Sequence, residues 1–312
     1  MNLLVGALAM GLLLSLATLG VFVGFRVLRL IDLTADGAFG IGAAVAATVL
    51  VGGASPIAAT LLGAGVGALA GFATGLLHTR FRIDALLAGI LTSTALYSVM
   101  LSVMGGGELS IVTRETVFSS AERAWHRADG GDITVFGTTV AGASWASLAL
   151  LLLIVPAVAL GAAWFFRTHL GLALRAAGNN PRMARAQAVD IGWMTVLGVG
   201  LANGLVGFSG ALFSQYQGFA NVQMALGTFV TAVGCLVLGE ALFGRERLGS
   251  ELAGAIVGTL LFRLLVAAAL RAGLDPNTLK MATAVFVVVI LVAQNRVRRT
   301  LARPRGATGG AG

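Results

Sequence analysis

The sequence predicts an all-α integral membrane protein of about nine transmembrane helices, with eight to ten possible. Its N-terminus is expected outside and its C-terminus in the cytoplasm. Three observations lead there. First, 57% of the 312 residues are hydrophobic and 11% charged, against roughly 25% charged in an ordinary soluble domain, too little polar surface for a water-soluble fold. Second, the uncharged residues are gathered into runs, Met1–Phe25, Gly37–Leu77, Ala85–Gly107, Ile133–Phe166 and Ile191–Gly239. About 20 helical residues cross a bilayer, so the longest runs can cross twice. Third, these runs lack strand-type alternation, and a spanning segment must satisfy its own backbone hydrogen bonds, which leaves helices.

Taken in order, the helices are expected near Leu3–Phe25, Gly37–Gly53, Pro56–Thr79, Asp84–Met104, Ser144–Phe166, Ile191–Gln215, Gln223–Leu242, Glu251–Leu270 and Leu279–Arg296. The first has no basic residue before it, whereas Arg26 and Arg29 follow it. A secretory signal has the opposite order, so this reads as a retained helix with its N-terminus outward. The inner loops then hold Arg26, Arg29, Arg80, Arg82, Arg167, Arg175, Arg182, Arg185, Arg245 and Arg247. The tail adds Arg296, Arg298, Arg299, Arg303 and Arg305, while the outer side holds Arg114, Arg123, Arg127, Arg271 and Lys280. Fifteen basic residues against five is the asymmetry of the positive-inside rule. The net charge of +8 is therefore a matter of orientation, with a lipid bilayer as the partner and no nucleic acid.

The second and seventh predicted helices are short and glycine-rich, which leaves either open to being broken or re-entrant. In the third, Gly63, Gly67, Gly71 and Gly75 recur every four residues. Small residues at that period make a smooth face onto which a neighbouring backbone can close in lipid. No strand precedes them, so a phosphate-binding loop is excluded.

The whole chain, residues 1–312, reads as one transmembrane domain. Within it, 105–143 is a polar outer segment, 167–190 a cytoplasmic segment and 297–312 a basic tail. In the outer segment, Thr116–Arg127 is expected as a short surface helix with Trp125 at headgroup level. It is either a solvated loop or a docking surface for an outer partner.

No catalytic group, cofactor site or metal site is expected. His78, His126 and His169 are scattered, and no GxxxxGK[ST] sequence is present to cradle ATP. Cys235 is alone, which excludes an internal disulfide. Work by such a chain must draw on a partner subunit or an ion gradient.

The inner segment Thr168–Asp190 carries the most information. Leu170–Ala177 favours helix, Gly178 is a natural C-terminal stop, Asn180 can cap and Pro181 can open a second short helix. Both helices are too short and too charged to cross, and are expected on the cytoplasmic face with arginines toward water or a partner.

This segment, Gly171-Leu-Ala-Leu-Arg-Ala-Ala-Gly-Asn-Asn-Pro followed by Met183-Ala-Arg-Ala, resembles the coupling loop of permease subunits in ABC importers of the branched-chain amino acid and ribose type. Ile31-Asp-Leu-Thr-Ala-Asp-Gly-Ala-Phe-Gly is similar to the entry to an early helix of that superfamily. Asn203-Gly-Leu-Val, Ser209-Gly-Ala-Leu, Gln215-Tyr-Gln-Gly-Phe and Gly239-Glu look most like the permeases partnered with tryptophan-type lipoprotein binding proteins. The resemblance covers nearly the whole chain. It implies a multi-pass protein of the bacterial inner membrane, a homodimeric channel fed by an outer solute-binding lipoprotein and driven by cytoplasmic ATPase subunits. Arg175, Gly178, Asn179, Pro181, Arg182 and Arg185 inherit the coupling role, and aromatic amino acids become the favoured solutes.

Polar residues at membrane depth are functional candidates by default. Asp32 and Asp36 bracket Thr34 and either cap the second helix or line the pathway. Arg263 either snorkels outward or turns its guanidinium into the channel to meet a carboxylate. Asn203, Gln215 and Tyr216 either line the pathway or make interhelical hydrogen bonds. Glu240 is expected to pair locally with Arg245. The rival reading is a self-sufficient ion-coupled transporter, which normally places carboxylates or histidines near the midplane. The run Ile191–Gly239 contains neither. A membrane scaffold without transport activity is a second rival.

Overall fold

The computed structural model describes residues 2–127, 133–135, 138–140, 142–244 and 248–273, and beyond these 275, 278, 281, 283–289 and 292. Eight helical stretches among the described residues are long and apolar enough to cross a membrane. Half of the ninth expected helix, Leu279–Arg296, falls outside the described residues; 281, 283–289 and 292 are helical.

The crossing segments are α1 (Asn2–Phe22, continued by a π-turn at Val23–Val27), α2 (Thr34–Val51), α3 (Pro56–Thr79) and α4 (Ala85–Met104). After the short outer helix α5 (Val117–Arg127) come α6 (Gly142–Phe165) and two short helices, α7 (His169–Asn179) and α8 (Pro181–Ala186). The chain then crosses again in α9 (Ile191–Gln217), α10 (Thr228–Phe243) and α11 (Leu248–Arg271). Local chemistry sets many of these ends. Ser55 caps α3 with Pro56 in the first helical position, and Asp84 accepts the Leu86 and Leu87 N–H groups at 3.0 and 3.4 Å. Asp190 accepts from Trp193 at 3.1 Å to open α9. Gly105 and Gly218 end α4 and α9 in the left-handed conformation that glycine adopts without strain.

At the centre of the bundle α9 packs between α2 and α3 and also meets α1. Glycine makes that packing close. A Cβ on Gly67 would stand 2.6 Å from the Asn203 carbonyl oxygen, and one on Gly75 2.8 Å from the Val196 Cα. Gly63 would meet the Gly42 carbonyl at 2.7 Å, and Gly71 would run into the Val199 carbonyl. All four glycines of the α3 stripe thus lie against backbone, mostly that of α9. Outside this core, α4 covers α2, α10 and α11 pack on α1 and on each other, and α6 lies on α1.

Two strand pairs complete the chain. Strand β1 (Glu108–Ser110) runs antiparallel to β4 (Phe219–Asn221), Leu109 facing Ala220, and so ties the start of the outer segment to the end of α9. Strands β2 (Ile133–Val135) and β3 (Thr138–Val140) form a small hairpin. In the outer segment α5 packs on α6 with Phe118 buried, and Phe118 meets the Tyr216 ring edge-on at 5.3 Å. On its exposed side, Arg123 donates to Glu115 at 2.6 Å and holds that carboxyl below the usual carboxylate range.

Candidate functional site

The segment between α6 and α9 is built as an elbow. Thr168 caps α7 through the Gly171 N–H, and Asn180 caps α8 by accepting from Met183 at 3.1 Å. Gly171, Leu174 and Ala177 face inward, whereas Arg175, Arg182, Arg185, Asn179 and Pro181 are exposed, together with Leu172 and Met183. Gly178 departs from its expected role. It does not stop the helix, which runs on to Asn179. It is small because the end of the π-turn lies on it: a Cβ there would collide with the Val27 carbonyl oxygen. Arg29, held at φ 57°, donates to the Asn179 side-chain oxygen at 2.8 Å. The elbow is therefore clamped to the end of α1.

Above it lies a chain of buried polar groups. One Asp32 oxygen accepts the Thr34 N–H at 2.9 Å, as a helix-opening residue should, and the other accepts from the Asn203 amide at 2.6 Å. Asp32 thus does more than cap: it fastens the start of α2 to α9. Burial pushes its carboxyl above the usual carboxylate value, against the opposing pull of the Thr34 and Asn203 hydrogen bonds. Thr34 continues the chain to Thr74 of α3 at 2.7 Å, and Thr74 to Thr92 of α4 at 2.9 Å. Asp36 does not serve α2. Its carboxylate accepts the Gly227 and Phe229 N–H groups at 3.2 and 2.7 Å and so caps α10.

That cap sits at a break. Val222–Ala225 forms one 3₁₀ turn, then Gly227 at φ 86° separates it from α10. The seventh predicted helix is therefore two pieces, as its shortness and glycine content allowed. Arg263 of α11 faces the same break. It lines two adjoining cavities of about 140 and 430 Å³ that share Leu226, Gly227, Thr231 and Phe262 with it. Gln215 makes interhelical bonds, donating to Thr60 at 2.8 Å and accepting from the Val117 N–H at 3.0 Å. Tyr216 packs on the outer segment.

The structure brings Asp32, Thr34 and Asn203 together, places Asp36 and Arg263 at the α10 break, and leaves Gln215 and Tyr216 near the outer segment. Glu240 pairs with Arg26 at the end of α1; Arg245, its expected neighbour, lies outside the described residues. Among the described residues no three His, Cys, Asp or Glu side chains gather as a metal would require.

Among the described residues, eight helices long and apolar enough to cross a membrane give the build of a multi-pass membrane protein. The chain belongs to the family of permease components of branched-chain amino acid transport systems, whose model matches residues 3–293. It is 30% identical to a tyrosine transport system permease protein of Clostridioides difficile, over 94% of this chain and 91% of that one. It is also 27% identical to an uncharacterised protein of Rickettsia prowazekii, over 96% and 99% of the two chains. A nucleoside ABC transporter permease protein of Lactococcus lactis is 26% identical over 78% of this chain and 74% of its own. No solved structure matches.

Proposed function

We propose that this chain is the membrane-spanning subunit of an ATP-binding cassette importer. It moves a small solute, with an aromatic amino acid favoured, by alternating access. Two copies form the channel in the bacterial inner membrane, two cytoplasmic ATPase subunits drive it, and an outer solute-binding lipoprotein delivers the solute. The single observation that carries this reading is the α7–α8 elbow. Three exposed arginines and three large exposed apolar side chains, Leu170, Leu172 and Met183, stand on helices clamped to the end of α1. Such a surface suits an ATPase groove that must grip and push. The likeness to the tyrosine transport permease favours an aromatic solute.

Charge reversal at Arg175 and Arg182 together is expected to abolish ATP-driven uptake in cells while leaving the protein inserted at wild-type levels. Normal uptake by the double variant sinks the assignment. Asp32 and Asp36, buried or half-buried beside α9 and α10, lend the ion-coupled alternative its one specific observation. Uptake into vesicles that collapses with a proton or sodium ionophore but persists without ATP decides for that alternative.

A further inference from the structure

We infer that Arg263 and the cavities at the α10 break form a binding site for a small carboxylate with an apolar body. The Arg263 Nε is buried and has no hydrogen-bond partner among the described residues, and no described carboxylate forms an ion pair with it. A charge left without a partner at membrane depth is costly, and such residues mark substrate pathways. Arg263 lies past the middle of the 24-residue α11. The guanidinium is a planar fork that matches a carboxylate in bidentate fashion. The nearby start of α10 does not take that anion, since Asp36 already accepts its Gly227 and Phe229 N–H groups.

The rest of the wall sets the body of the ligand. Phe39 of α2, Phe213 of α9, Met224 of the 3₁₀ turn and Phe262 of α11 line the smaller cavity, a surface for an aromatic or branched side chain. Phe39 and Phe213 stand 5.5 Å apart. The Thr231 hydroxyl donates to the Gly227 carbonyl at 2.8 Å, which leaves its oxygen free to accept from an ammonium. A zwitterionic amino acid then lies with its carboxylate on Arg263, its side chain among the aromatics and its ammonium toward Thr231.

The choice of probes rests on the amino-acid import reading. The full chain in phosphatidylcholine nanodiscs is titrated with L-tyrosine, L-phenylalanine and L-leucine, and with the matching amines that lack the carboxylate. At least one amino acid is expected to bind, its amine at least tenfold more weakly. Arg263→Gln should lose at least tenfold, with Arg263→Lys between the two and both variants monodisperse. Equal binding of acid and amine, no binding of any amino acid to the wild type, or unchanged binding by Arg263→Gln overturns the site. So does amino-acid binding that vanishes when the discs contain phosphatidylglycerol, which makes Arg263 a headgroup contact. If charge reversal at Arg175 and Arg182 stops uptake while Arg263→Gln binds and transports normally, the site falls and the import reading stands. If Arg263 binds as described but uptake ignores ATP, the site stands and the import reading falls.

Discussion

Asp32 shows at the residue scale what burial does to a polar group. Its two oxygens serve the backbone of its own helix start and the side chain of a residue 171 positions away. Burial is the largest influence on its carboxyl and raises it above the ordinary value. The sign follows directly. Between the ordinary and the raised value the folded state binds more protons than the unfolded state, so stability falls as pH rises through that window. In Asp32→Asn this component vanishes, and an amide NH₂ replaces one acceptor, so that either the Thr34 N–H or the Asn203 amide faces a donor. The variant should lose about 1–3 kcal/mol at acid pH and close the gap as pH rises. Thermal unfolding of both proteins in the same detergent across pH 4–8 checks this; parallel profiles refute it.

Elements meet here through missing side chains. The α3 stripe can be read from the sequence because small residues at a period of four share one helix face. Its partner could not be, since the stripe says that something approaches and not which helix. Gly71→Val would drive atoms into the Val199 carbonyl and toward the Gly200 Cα, both backbone and unable to swing aside. A cost of about 1–3 kcal/mol or more is expected. Gly65, on the same helix, has nothing within 4 Å of where a Cβ would stand, so Gly65→Ala should stay within about 0.5 kcal/mol of wild type. Similar losses in the two variants would show that glycine content, not the α3–α9 contact, sets stability.

The same contrast explains what else could be read. Helix ends with local causes, such as the Ser55, Asn180 and Asp190 caps, follow from residues three or four apart. Gly178 misleads because the local rule for a helix stop is overridden by a distant carbonyl, that of Val27. Arg26 and Glu240 are 214 positions apart, and Asp36 reaches α10 across 191 and 193 positions. Complementary charge alone does not choose among so many partners. Arg263 was recognisable as costly from its place in an apolar run; the cavities it faces required the fold.

For the whole molecule, the number of crossings and the side of each loop are one question. From an outward N-terminus, eight crossings bring Arg271 at the end of α11 back to the outer side. The tail from Arg296 to Arg305 is strongly basic, so the positive-inside rule leads us to expect it in the cytoplasm, which calls for one more crossing after Arg271. Cysteine labelling reads both points at once, because Cys235 is buried and its replacement by alanine gives a silent background. Val112, 77% exposed after β1, Gln187 at the end of α8 and Thr308 in the tail are changed to cysteine one at a time. With a membrane-impermeant maleimide on intact spheroplasts, Val112→Cys should label at once, and Gln187→Cys and Thr308→Cys only after permeabilisation. Outer labelling of Thr308→Cys removes the ninth crossing. Outer labelling of Gln187→Cys would invert the molecule, put the three arginines of the elbow beyond the reach of any cytoplasmic ATPase, and end the import reading with them.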